Sequence, residues 1–198
     1  MKTAYSGFEL KLVDGKHPQK SEIENYIYQR YSRAFQATLN EFMPQYLVLY
    51  QHEKLISACG FQHAQYRPLF LEQYLDEPIE LLIKRHFGVA TRSSIIEFGQ
   101  LASFSNRFSL IHFSLMTSYL IEQGFEWCVC TVTAPLFALM ERMGLKPLSI
   151  GSADPLRVDG YSNWGQYYSH QPQLVLGNLK VAQSQLTSLA TNVNRKFG

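Results

Sequence analysis

The chain has 198 residues, of which 46% are hydrophobic and 17% are charged, and its formal net charge is +2. This composition predicts one globular domain with a sizeable core and excludes a disordered chain, and so small a charge gives no support for nucleic-acid binding. Three cysteines without a framework spacing predict reduced thiols and a cytoplasmic protein. The lack of a signal-like or long apolar run predicts that any membrane contact is made at the surface.

Periodicity places strands and helices along the whole chain. The predicted strands lie at 8–13, 46–50, 55–61, 94–101, 126–133, 148–150 and 173–176. The predicted helices open at Ser21, cover 78–86, 106–124 and 135–143, and end with a polar helix at 180–195. Ser21 with Glu24 forms a capping-box pattern at the start of the first helix. This order predicts an α/β (α+β) fold with a mixed sheet and helices on both faces, formed by residues 1–178 and followed by a C-terminal tail helix at 179–198.

Residues 94–124 predict a strand, a polar turn and a long helix that ends at Gly124. Ser105 or Asn106 is placed to cap the helix. A helix N-terminus that faces the end of a strand suits a phosphate or an oxyanion, but such a unit also occurs as pure scaffold. Both interpretations remain open from the geometry alone.

Glu97 is the sharpest catalytic candidate because it lies in mid-strand between apolar neighbours. Burial would raise its pKa towards the range of a general base. The alternative is a structural ion pair with Arg92 or another arginine. No His, Cys, Asp or Glu spacing predicts a metal site, and no nucleotide-binding motif or nucleophile motif occurs.

A second group of polar and aromatic residues could form the wall of an apolar pocket. Its members are Glu72, Tyr74, Trp164, Tyr167 and Tyr168. The plainer interpretation is that the acid is solvated at the surface and that the aromatic side chains belong to an ordinary packed loop.

Five blocks of sequence occur together in the order typical of one protein family. They are LFLEQYLDEPIE (69–80), RSSIIEFGQLAS (92–103), WCVCTVTAPLFALMERMGLKPL (127–148), SADPLR (152–157) and WGQYY (164–168). Over most of residues 25–177 the chain therefore resembles the thermostable hemolysin family. That family in turn resembles the GNAT acyltransferase superfamily, and especially the acyl-homoserine-lactone synthases, through the strand that carries Glu97 and the helix that ends at Gly144.

The resemblance implies a GNAT-like, mostly antiparallel central sheet that binds an acyl thioester between splayed strands. It implies a general base or orienting acid at Glu97 and no tightly bound cofactor. The implied donor-binding residues are Phe98, Gln100, Leu101, Ala102, Ser105, Asn106 and Arg107. The turn at 103–108 contains no glycine, which hinders close approach to a CoA pyrophosphate and favours acyl-carrier protein over acyl-CoA as the donor.

The implied activity is transfer of a fatty acyl group to an amine such as an amino acid or a related small molecule. The pocket of Glu72, Tyr74, Trp164, Tyr167 and Tyr168 would hold the acceptor or the acyl chain. Two alternatives remain: a membrane-acting lytic protein, as the family name states, and an inactive GNAT-like module that still binds an acyl group.

Overall fold

The computed structural model describes residues 7–197, apart from the side chains of Asn106 and 190–197. The strands are β1 (Phe8–Val13), β2 (Gln45–Gln51), β3 (Lys54–His63), β4 (Ile95–Ser103), β5 (Trp127–Val132), β6 (Leu148–Ser152) and β7 (Gln173–Asn178). The α-helices are α1 (Lys20–Phe35), α2 (Ile79–Phe87), α3 (Ser109–Glu122), α4 (Ala134–Arg142) and α5 (Leu179–Phe197). Among the described residues, no helix is both long enough and apolar enough to cross a bilayer.

The seven strands form one sheet in the order β1-β2-β3-β4-β5-β7-β6. Every neighbouring pair is antiparallel except β4 and β5, which α3 connects as a parallel crossover. The predicted mixed, mostly antiparallel sheet is therefore confirmed.

Helices cover both faces of the sheet, as the alternation of the strands requires. Tyr46 and Val48 of β2 pack against α1, whereas Leu47 between them packs against the core beneath α3. The helix α2 covers the same face as α1, over the half of the sheet that contains Ile95. The face that α3 covers is called face B below, and the face that α1 and α2 cover is called face A.

The predicted cap at Ser21 is wrong, whereas a predicted cap at Ser105 is present on the turn that leads into α3. The helix α1 begins at Lys20 after Gln19, so Ser21 lies inside the first turn and no side chain caps this end. Before α3, the Ser105 hydroxyl accepts a hydrogen bond from the Arg107 N–H and so caps a short 3-10 helix, Asn106–Phe108, which precedes α3 itself. The helix α1 thus begins one residue before Ser21, and a 3-10 turn separates Ser105 from the start of α3.

Candidate functional site: a cleft between two central strands

The strands β4 and β5 separate in the middle of the sheet. Their parallel ladder runs from the pair Ile95–Trp127 to the pair Phe98–Cys130. Beyond that pair β4 continues to Ser103 alongside β3, and β5 continues to Val132 alongside β7. The two strand ends thus diverge and leave a cleft between them.

A β-bulge in β4 coincides with this divergence. Gly99 lies opposite Gly60 and Ala102 lies opposite Ala58, so Gln100 and Leu101 together face the single residue between them on β3. Gln100 has a φ of 53°, and its side chain is held by the Met43 N–H at 2.9 Å and the Glu41 carbonyl at 2.8 Å. A bulge leaves backbone groups outside the regular ladder, and here they border the cleft.

A cavity of about 410 Å³ occupies the cleft. Its wall includes Tyr31 and Tyr167 on face A, and Phe113 and Met116 of α3 on face B. Because residues from both faces line one cavity, it passes through the sheet where β4 and β5 diverge. Four predicted site residues line this cavity, namely Phe98, Gln100, Leu101 and Tyr167.

Thr131 supplies a polar atom that the sequence did not single out. It lies on β5 one residue beyond the last β4–β5 pair and belongs to the cavity wall. Its hydroxyl is buried and has no hydrogen-bond partner among the residues that the structure describes. A buried hydroxyl without a partner is costly, so a polar ligand atom in the cleft would satisfy it.

The remaining predicted donor residues lie around the rim or in the core. The Ala102 side chain is fully buried on the α1 side of the sheet, and its carbonyl lies 3.1 Å from the Ser57 hydroxyl. Ser105 and Arg107 are exposed on the turn before α3. Asn106 belongs to the short 3-10 helix, but its side chain lies outside the described part of the structure.

Glu97 is buried, with a relative exposure of 2%, and faces the side of the sheet opposite α3. Its carboxylate accepts hydrogen bonds from the Gln62 side chain at 2.7 Å and from the backbone N–H groups of Phe70 and Leu71 at 2.7 and 2.8 Å. Burial raises the pKa of Glu97 to about 7, and these three N–H donors oppose that rise. Glu97 itself does not belong to the cavity wall.

The alternative is wrong, because among the described residues Glu97 forms no ion pair with Arg92 or with another arginine. The Arg92 guanidinium instead bridges Glu72 at 2.6 Å and Glu80 at 2.7 Å. Burial raises the pKa of Glu72, but hydrogen bonds from Arg92 and from the backbone N–H groups of Leu69 and Ile79 outweigh it and lower the pKa overall. Glu72 is therefore neither a freely solvated acid nor part of the cavity wall; it fixes the segment between β3 and α2.

The predicted aromatic residues form one cluster on face A. The Tyr74 and Tyr168 hydroxyls lie 2.7 Å apart, and the Tyr167 hydroxyl donates to the Thr131 carbonyl at 3.2 Å. The Trp164 ring lies 5.3 Å from the Tyr167 ring and 5.7 Å from the Phe70 ring. Of this group Tyr167 lines the cavity, and the others pack behind it.

His112 of α3 is a second residue that the sequence did not single out. It is fully buried in the cavity wall, with Nδ1 2.9 Å from the Ser57 hydroxyl and Nε2 3.1 Å from the Leu47 carbonyl. Burial lowers the pKa of His112 to about 4, so the neutral ring donates from Nε2 to Leu47 and accepts at Nδ1 from Ser57. These two bonds tie α3 to β2 and β3.

We expect this histidine to make folding acid-sensitive. In the unfolded chain it takes up a proton near pH 6.5, whereas the folded protein resists protonation down to about pH 4. The free energy of unfolding should therefore fall as the pH drops through this window, by about 3 kcal/mol for this residue alone. Urea titrations of the wild-type protein and of a His112→Gln variant, taken across this window, measure the effect.

The comparison with the variant is needed because Glu97 changes the free energy of unfolding with pH in the opposite direction to His112. Its raised pKa means that stability contributed by the protonated acid is lost as the pH rises from about 4.5 to about 7. The difference between wild type and His112→Gln cancels that contribution. Parallel pH profiles for the two proteins would contradict the assignment of a neutral buried imidazole.

The fold is that of several acyl-transferring synthases of known structure. The N-acyl amino acid synthase FeeM from uncultured soil microbes has a TM-score of 0.63 at 12% identity, over 90% of this chain and 93% of its own. The CoA-dependent acyl-homoserine lactone synthase BjaI, solved with SAM and isopentyl-CoA, has a TM-score of 0.64 at 11% identity, over 95% and 90%. The AHL synthase LasI has a TM-score of 0.59 at 12% identity, over 89% and 94%.

The sequence itself identifies the family. Residues 13–183 match the thermostable hemolysin family, and the chain belongs to that family. A search among curated proteins found no match. The resemblance predicted from the five sequence blocks is confirmed.

Proposed function

We propose that this protein transfers a fatty acyl group from an acyl thioester to an amine. The observation that carries the proposal is the cavity of about 410 Å³ that crosses the sheet at the β4–β5 divergence. Apolar side chains such as Phe98, Phe113 and Met116 suit a hydrocarbon chain, and the volume is that of a small-ligand site. The acyl-transferring synthases that share this fold support the same function.

The thioester group would lie at the bulge of β4. Backbone N–H groups around Gln100–Ala102 would polarise its carbonyl, since a bulge frees such groups from the ladder. The Thr131 hydroxyl on the opposite side of the cleft would bind a polar atom of the donor. The amine would attack the carbonyl carbon, the carbon–sulfur bond would break, and the thiol would leave.

The phosphate end of the donor would lie near three arginines. Arg30 lines the cavity and donates to the Ser103 carbonyl at 2.7 Å, Arg33 lies over the Phe104 ring, and Arg107 is exposed on the same turn. In the described part of the chain, none of the three forms an ion pair with an acid. These arginines would attract the phosphate of either donor, and the glycine-free turn at 103–108 favours the single phosphate of an acyl-carrier protein over the pyrophosphate of CoA.

Glu97 would accept the proton that the attacking amine loses. A pKa of about 7 suits a base that operates at neutral pH. The acceptor would approach on face A, where Tyr74 and Tyr168 lie and where Oε1 of Glu97 accepts only one hydrogen bond among the described residues.

Release of free thiol tests the proposal. The protein is incubated with acyl-carrier protein or CoA that carries acyl chains of different length, together with pooled amino acids and small amines. We expect thiol release that depends on the amine, and a new amide detectable by mass spectrometry. If no donor and acceptor pair releases thiol above a Glu97→Gln control, the proposed function is wrong.

Replacement of Thr131 by valine should separate donor binding from folding. The change removes a buried hydroxyl without a partner, so the free energy of unfolding should stay the same or rise by about 1 kcal/mol. The Kd for a non-reactive donor analogue should rise about tenfold, because one hydrogen bond to the ligand is lost. Denaturant titration and calorimetric binding measure the two quantities. An unchanged Kd would show that Thr131 does not contact the donor.

A further inference from the structure

The first turns of α5 form part of the cavity wall. Leu179, Ala182, Gln185 and Leu186 all line it. The sequence predicted this helix as a polar tail outside the domain at 179–198. In the structure its first turns instead pack between α3 and α4, and Leu186 has a relative exposure of 1%.

Hydrogen bonds at its start hold α5 in place. The Asn178 side chain accepts from the N–H groups of Lys180 and Val181 at 3.0 and 3.1 Å and so caps the helix. One turn later the Gln183 side chain donates to the Ser118 hydroxyl of α3 at 3.1 Å. These bonds fix the start of α5 relative to the sheet and to α3, so this part of the cavity wall is held in place.

The side chains of this wall are mostly apolar and suit a hydrocarbon chain. Next to α5, the cavity is lined by Leu136, Leu139 and Met140 of α4. Ala182 contributes a small side chain between these larger ones, so a change at this position alters the available length directly. The family match ends at residue 183, so Gln185 and Leu186 of the wall lie beyond it.

We infer that α5 closes the far end of an acyl-chain chamber and sets the longest linear acyl chain that the protein accepts. The inference rests on the proposed function, because it assigns the cavity to the acyl group of the donor. It adds that the specificity for chain length resides in Ala182 and Leu186 of the C-terminal helix. The reacting end of the chain would lie at the bulge, on the opposite side of the chamber.

The binding of a series of ligands that differ only in chain length tests this role of α5. The measurement does not require the protein to catalyse a reaction. The ligands are pantetheine thioethers with linear alkyl chains from butyl to hexadecyl, measured by calorimetry with the full chain. We expect the Kd of Ala182→Leu for the longest chain that binds well to the wild type to rise about tenfold, with short chains unaffected. Leu186→Ala should shift the optimum to longer chains.

Ser184→Leu serves as the matched control, because Ser184 is an exposed residue of the same helix outside the cavity wall. Its chain-length profile should equal that of the wild type. If the wild type binds a chain but neither Ala182→Leu nor Leu186→Ala shifts the profile, while both variants melt cooperatively, the role of α5 is wrong and the proposed function stands. If the wild type binds no chain of any length, the assignment of the cavity fails and the proposed function with it.

Discussion

Glu97→Gln should lower the rate of acyl transfer at pH 8 by about 100-fold or more, because an amide cannot take the proton of the attacking amine. The wild-type rate should fall as the pH drops through the pKa of about 7, about tenfold per pH unit below it. The rate should level off above that value, where the carboxylate is ionised. A pH–rate profile of both proteins with one donor and one amine measures these effects.

The structure also gives Glu97 a positioning role, which the experiment must separate from catalysis. The carboxylate holds the Phe70 and Leu71 N–H groups against the sheet, so Glu97→Gln also lowers stability. Glu80→Gln is the matched control, since Glu80 is a half-buried acid that anchors the same region through Arg92. We expect that control to lose stability but to keep the rate and its pH dependence. If Glu97→Gln behaves in the same way, Glu97 is an anchor and not a base.

Gly165→Ala should destabilise the protein by about 3 kcal/mol. Gly165 has a φ of 56°, a backbone conformation that is strained for alanine, and an added Cβ would collide with the backbone of Phe35 and Gln36. The neighbouring Gln166 N–H donates to the Phe35 carbonyl at 2.6 Å, so the collision breaks the contact between this loop and α1. Denaturant titration measures the loss.

Gly160→Ala provides the comparison within the same loop. It also has a positive φ, of 70°, but an added Cβ would contact only the Asn163 side chain, at 3.3 Å. It should cost about 1 kcal/mol, from the backbone conformation alone. Because the loop places Tyr167 in the cavity wall, Gly165→Ala should weaken donor binding as well. Equal stability of the two variants would contradict the close packing of the loop on α1.

The sequence predicted the order of the elements well because most strands are short, strongly apolar runs and most helices have an apolar stripe. The run from Ile95 to Phe98 and the apolar run of β5 are examples. Such patterns arise because the residues on the buried face of a strand or helix must be apolar. The sheet and the helices packed on it bury those faces. The helix starts at Lys20 and Ser109 were less predictable, because more than one polar residue nearby could act as a cap.

The site was predictable only in part, since its key features depend on pairing between distant strands. Glu97 was found because an acid in an apolar strand stands out, but its donors come from β3 and from the loop before α2. The bulge at Gln100 is visible only once β3 and β4 are aligned. A lone His112 and a lone Thr131 carry no signal in the sequence, since the carbonyl and hydroxyl that bind His112 and the cleft that Thr131 lines are provided by other elements.

The most direct test is a crystal structure of the protein with a non-reactive acyl-pantetheine thioether. We predict that the pantetheine arm lies between residues 99–103 of β4 and 131–132 of β5, with the Thr131 hydroxyl bonded to it and the alkyl chain directed towards Ala182 of α5. A ligand bound elsewhere, for example in the shallow groove beside Arg92 and Glu72, with the cleft closed, would contradict the account.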